Sequence, residues 1–185
     1  MSKRFYLGIY VGSLVIAVAS FVAALIVGIV VEQMTAAGTV SPSIKSSFLY
    51  QGVSVLLGLG LLQFGIVMTV YPFVLLAKMW GSIQDGVTTV TPGKAIGFLF
   101  IPFFNLYWIF KAWGGFADEY NGFAARHRLN VIPVSSGVYI TYAIFVLLGG
   151  IFILPIIAVP FILIPLIAKT CDAVTNIRMA APARA

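Results

Sequence analysis

IPFFNLYWIF, Ile101 to Phe110, is among the most lipid-like stretches of this chain, yet it carries a proline and an asparagine three residues apart. Pro102 has no backbone N–H. In a helix interior it also deprives the carbonyl of Phe98 of its usual donor. A freed carbonyl in hydrocarbon costs several kcal/mol unless protein or water satisfies it. Asn105 is suited to restart a helix, with its side-chain oxygen accepting from backbone donors near Tyr107 and Trp108. The residues therefore predict a half-helix from Lys94 to Ile101, an irregular turn, and a second helix beginning near Asn105.

Composition sets the class around this segment. Of the 185 residues, 61% are hydrophobic and 9% charged, and the mean hydropathy is +1.08. Soluble proteins carry roughly 25% charged residues. The apolar residues also fall in long blocks, and blocks of about 18 or more with few charges are membrane-helix candidates. Four such runs cover residues 5–31, 48–77, 95–113 and 138–168. The expected fold is all-α: a polytopic membrane helix bundle of four transmembrane segments. Its third segment is broken at Pro102–Asn105 and continues as an amphipathic helix. Residues 1–179 form one transmembrane domain and 180–185 a flexible tail. The first run follows Lys3 and Arg4, as a signal peptide would, but its apolar region of about 27 residues exceeds the 7–15 of a signal sequence, so a retained helix is expected.

The net charge of +6 does not imply nucleic acid. Lys3, Arg4, Lys78, Lys94, Lys169, Arg178 and Arg184 flank apolar runs instead of forming the clustered basic face that a phosphate backbone requires. Four crossings with a cytoplasmic N-terminus put these seven inside and Lys45, Lys111, Arg126 and Arg128 outside. If the third run does not cross, the ratio is again seven to four. The count sets the N-terminus inside and leaves the third run open. Cys171 is the single cysteine, which excludes an intramolecular disulfide.

Beyond the third run, Trp113, Phe116, Tyr120, Phe123 and His127 recur at helical spacing, while Lys111, Asp118, Glu119, Arg126 and Arg128 fall mostly off that stripe. This predicts an interfacial helix along the bilayer surface, with Trp80, Tyr107, Trp108, Trp113 and Tyr120 as an aromatic belt. The stretch from Thr91 to Phe123, TPGKAIGFLFIPFFNLYWIFKAWGGFADEYNGF, resembles a group of small bacterial inner-membrane proteins of unknown function. They share a Pro-Gly lead-in, a GF–FIP–FNLYW–F core and a Gly-Ala-Asp/Glu-Asn sequel within a four-helix frame. The resemblance covers about a fifth of the chain and implies an inner-membrane location and four helices, with no activity attached.

Few polar residues lie deep in the runs. Gln63 sits mid-way along the second and Asn105 mid-way along the third, and buried amides in bundles find partners across helices. Gln63 is expected beside Asn105 or the carbonyl freed by Pro102, as a polar packing or pore site. Gly8 and Gly12, and Ser54 and Gly58, are spaced as close-packing faces. Pro155, Pro160 and Pro165 in the fourth run suggest one long, kinked, tilted helix rather than a hairpin.

Chemistry is thinly supplied. The one histidine, His127, lies outside the runs, so no serine inside them has a base to activate it. Asp118, Glu119 and His127 lack the spacing of a metal-binding helix. The chain thus reads as a non-enzymatic integral inner-membrane protein with no cofactor and no metal. Its partners are the lipid bilayer and other membrane proteins or a second copy of itself, and it serves as a scaffold or accessory subunit. The alternative is a homo-oligomeric channel or transporter for a neutral or weakly polar solute. Absence of ionisable groups deeper than Lys111 counts against a coupled pump.

Overall fold

The computed structural model describes residues 2–39, 48–149 and 153–180, and among these every regular element is helical. The helices are α1 (Lys3–Ala36), α2 (Phe48–Gly81), α3 (Pro92–Gly97), a 3-10 turn at Phe98–Phe100, α4 (Phe104–Trp113), α5 (Gly115–Arg126), α6 (Gly137–Gly149) and α7 (Ile153–Ala180). Three are long and apolar enough to cross a membrane: α1, Gln51–Gly81 of α2, and Ala158–Ala180 of α7. Ser41-Pro42, Gly150 and residues 181–185 of the expected tail lie outside the described residues.

Two compact units are distinguished. The smaller, residues 9–69, is an α1–α2 pair. Tyr10 donates to the sulfur of Met68 at 3.2 Å, and Ser20 packs so close to Gly60 that a Cβ there would lie 2.7 Å from its Oγ. Small residues at such contacts let helix backbones approach, which is how apolar helices associate when lipid competes equally for their side chains. Most of the remaining surface is exposed Val, Ile, Leu and Phe.

The larger unit contains residues 1–8 and 70–185 and has an aromatic core. Trp80, Phe116, Tyr120 and Tyr139 are fully enclosed together with Leu166 and Val174. Trp80 and Phe116 meet edge to face at 5.9 Å, and Phe116 lies 5.7 Å from Tyr139. Burying rings this large supplies more apolar area per residue than aliphatic packing would.

Two runs do something that periodicity does not announce. The segment from Pro92 to Trp113 doubles back on itself. The indole of Trp108 on α4 donates to the carbonyl of Ala95 on α3 at 3.2 Å, and Phe98 lies 4.8 Å from the Trp108 ring and 5.7 Å from Phe104. The fourth run also folds back. It is two helices packed together, not one kinked helix, and the hydroxyl of Thr170 on α7 donates to that of Tyr139 on α6 at 3.3 Å. Pro160 and Pro165 sit inside α7 without ending it. At 1.5 Å per residue the 13 residues of α6 reach only about 20 Å.

Candidate functional site

The densest polar constellation lies where the α2–α3 loop meets the end of α5. Asp85-Gly86 begins a tight turn, and Gly86 takes φ = 82°, a left-handed conformation that glycine adopts without penalty. One oxygen of Asp85 accepts from the backbone N–H groups of Val87 and Thr88, both at 3.0 Å, and from the Thr88 hydroxyl at 2.9 Å. The other accepts from Arg126 through Nε at 3.0 Å and Nη2 at 2.9 Å, with His127 Nε2 at 3.3 Å. The carboxylate side chain is only 4% exposed. Desolvation alone would raise its pKa. The Thr88 backbone donor, Arg126, the Thr88 hydroxyl and the Val87 N–H outweigh that and hold the group well below the usual carboxylate range. Gln84 spans the same loop by donating to the carbonyls of Trp80 at 2.8 Å and Val90 at 3.1 Å. Thr91 then caps α3 by accepting from Lys94 N, with Pro92 at the first helical position.

Neighbouring polar groups are committed in the same way. Asn121 brackets Val134, donating to its carbonyl and accepting from its N–H, each at 2.9 Å. Trp80 donates to the carbonyl of Ala112 at 2.9 Å, and Tyr120 to that of Ala173 at 3.3 Å. Lys3 pairs with Asp172 at 2.7 Å across exposed surface. These bonds tie α2, α4, α5, α7 and the α5–α6 linker together. They fix backbone geometry and leave the donors and acceptors that take part in them occupied.

The expected repair of the third run is corrected by the backbone. The carbonyl of Phe98 accepts from the N–H of Ile101 at 3.4 Å, so the 3-10 turn supplies a local donor and no distant amide is required. Helix α4 starts at Phe104, and its cap position is Phe103, with no side-chain cap. Asn105 lies in the first turn, where its own N–H donates to the carbonyl of Ile101 at 3.0 Å. Phe104 N donates to the carbonyl of Pro102 at 2.7 Å, closing a γ-turn around Phe103, whose φ is 62°. Pro102 stands in this exposed turn.

The other expected residues fare unevenly. Gln63 is exposed on α2 in the smaller unit, whereas Asn105 is half-buried in the larger. Gly8, Gly12 and Gly58 have no atom within 4 Å of where a Cβ would stand, so the close approach is at Gly60 instead. Ser54 lies four residues before Gly58. From Trp113 to Phe123 the stripe is buried in protein, and only His127 at its end is exposed. Trp113 meets Tyr142, Phe116 meets Trp80 and Tyr139, and Tyr120 bonds to α7, so these residues do not form an interfacial face; Trp80 and Trp108 are likewise core residues. Asp118, Arg126 and Arg128 are on the outer side, with Glu119 half-buried and accepting from Thr89 at 3.5 Å. Asp85, Gln84, Asn121 and Gly60 were not singled out as site residues in the sequence. Only Asp85 had a local signal, its Asp-Gly turn dipeptide.

Among the described residues, open clefts indent the larger unit. One of about 460 Å³ is lined by Ala77, Lys78, Gly81, Ser82 and Arg178. Two of about 280 Å³ flank the α5–α6 linker, beside Lys169 and Asp172 and beside Met179. No family model, curated protein or solved structure matches the chain.

Proposed function

We propose that the protein is a non-enzymatic integral membrane protein of a bacterial inner membrane, acting as a scaffold or accessory subunit of a membrane complex. Its kinship is with the small inner-membrane proteins that its Thr91–Phe123 stretch resembles. The observation that carries this reading is how the polar side chains of the larger unit are used. Asp85, Gln84, Asn121, Trp80 and Tyr120 each close a structural bond between elements. A unit so cross-braced is a rigid platform attached to apolar helices, which suits holding a partner.

The arrangement in the membrane follows the two hairpins. Helices α1 and α2 cross, while the α3–α4 and α6–α7 hairpins enter and leave through the same face. The Asp85–Arg126 pair supports this, because it joins the segment before α3–α4 to the segment after it. Tyr120 bonded to Ala173 and Lys3 paired with Asp172 extend the same face to the end of α7 and the N-terminus. Lys3, Arg4, Lys78, Lys94, Lys111, Arg126, Arg128, Lys169 and Arg178 then share one side, and Lys45, between the crossing helices in sequence, has the other. That asymmetry is far steeper than seven to four, and by the positive-inside bias the shared side, with the N-terminus, is cytoplasmic. The α3–α4 tip fits a lipid-inserting wedge. Phe103 is 86% exposed in a conformation that is costly for a bulky residue, and Phe100, Ile101, Leu106 and Tyr107 are exposed beside it.

A second reading, a homo-oligomeric channel or transporter for a neutral or weakly polar solute, draws on exposed Gln63 amid apolar α2. An amide facing hydrocarbon gains by meeting another helix. Mass measurement of the particle extracted in mild detergent separates the two. A stoichiometric complex with a different membrane protein is expected. Several copies of this chain alone, joined by a Gln63→Cys cross-link and passing solute in vesicles, replace the scaffold reading with the channel.

A further inference from the structure

The cleft between the ends of α2 and α7 has a composition unlike the rest of the surface. Its two charged lining residues, Lys78 and Arg178, are both cations and both exposed. Among the described residues neither enters an ion pair, whereas Lys3 is matched to Asp172 and Arg126 to Asp85. The cleft's other lining residues, Ala77, Gly81 and Ser82, are small, which keeps about 460 Å³ open between the cations. That is room for a phosphate group and the polar atoms attached to it.

A second feature points to the source of the anion. Val70, Val74 and Lys78 follow one another at four-residue spacing, which puts them on one face of α2. Both valines are exposed. An apolar track therefore leads along the helix to a cation at the point where its membrane-crossing stretch ends. Tails belong beside the valines and a headgroup beside Lys78, the depth at which Lys and Arg meet lipid phosphates.

We propose that this cleft holds an anionic phospholipid, with Lys78 and Arg178 contacting its phosphate oxygens and Val70 and Val74 lining an acyl chain. The proposal rests on the membrane reading above and names a ligand for one part of that surface. Phosphate recognition by two cations is chemistry that a soluble phosphate would share. The apolar track assigns the site to lipid.

Native mass spectrometry of the full chain in detergent, titrated with phosphatidylglycerol, phosphatidylcholine or inorganic phosphate, tests it. Phosphatidylglycerol is expected to be retained over phosphatidylcholine, and millimolar inorganic phosphate should not displace it. The K78A/R178A pair should weaken retention roughly 30-fold, the loss expected for two headgroup cations. K94A/K111A, which removes equal charge elsewhere, should leave it unchanged, and K78R/R178K should preserve it. Equal losses in the two alanine pairs, no preference for phosphatidylglycerol, or displacement by inorganic phosphate would each overturn the assignment. Co-sedimentation with phosphatidylcholine vesicles separates this failure from failure of the membrane reading. Wild type and K78A/R178A both co-sediment if the chain is integral, whatever the cleft binds.

Discussion

Replacing Asn121 by alanine removes two hydrogen bonds at once, because its amide serves both backbone groups of Val134 at 2.9 Å. A neutral hydrogen bond contributes about 0.5–1.5 kcal/mol net, so the pair sums to about 1–3 kcal/mol. The site is half-buried, so water recovers part of the loss and the expected value is about 1.5 kcal/mol, or about tenfold in the unfolding equilibrium. The bracket also anchors the linker between α5 and α6. Asn121→Ala should therefore increase hydrogen exchange at residues 131–137 beyond its effect on α1. Asn130→Ala serves as a control, because Asn130 is an exposed amide on the same linker and should cost under about 0.5 kcal/mol. Unfolding by denaturing detergent, read by tryptophan fluorescence, gives both values. Equal costs for the two variants, or a loss below about 0.3 kcal/mol at Asn121, would show that the bracket does not brace the unit.

Trp80→Ala should cost about 3–5 kcal/mol, as expected for a fully enclosed aromatic, and Trp80→Phe less, since a ring still fills much of the site while the bond to the Ala112 carbonyl and part of the indole's packing are lost; the same detergent titration ranks them. Gly60→Ala should destabilise the α1–α2 pair by about 1–3 kcal/mol, because its methyl would meet Ser20 at 2.7 Å, whereas Gly58→Ala points into open space and should be neutral or mildly stabilising. Stability should fall with acid through Asp85. Its folded pKa is depressed, so its contribution is complete above the unfolded value of about 4 and is lost as pH drops below it toward the folded value. Detergent-unfolding midpoints between pH 6 and 3 should show this decline flattened in Asp85→Asn, and an unchanged slope would exclude Asp85 as its origin.

The sequence shows clearly which parts of this chain are helical and apolar, because lipid-like composition and run length are local properties. It also marks the break at Pro102, since a missing N–H cannot be disguised. What mends the break is not legible there. The 3-10 bond from Ile101 to Phe98 is a backbone adjustment open to many residues, while Asn105 only looks like a cap. The aromatic stripe of α5 is visible as a stripe, but its partner is not. Burial against Trp80 and Tyr139 and exposure to headgroups demand the same spacing. Nor can a run of 31 apolar residues declare whether it is one long helix or two short ones. The described Gly149 and the bond between Tyr139 and Thr170 belong to the hairpin, but a Gly-Gly pair reads equally as a bend. Asp85 illustrates the same limit, since its partners Arg126 and His127 lie 41 and 42 residues away.

In the proposed arrangement two turned-back hairpins lie on one membrane face, with most cations beside them. Single cysteines at Gly86, Arg128 and Ser43 in a Cys171→Ala background, labelled with an impermeant maleimide in sealed vesicles of known orientation, test it most directly. Positions 86 and 128 should label from the same side and position 43 from the opposite one. Labelling of position 128 together with 43, and not with 86, would mean that the segment from Pro92 to Trp113 crosses the bilayer, contradicting the hairpin.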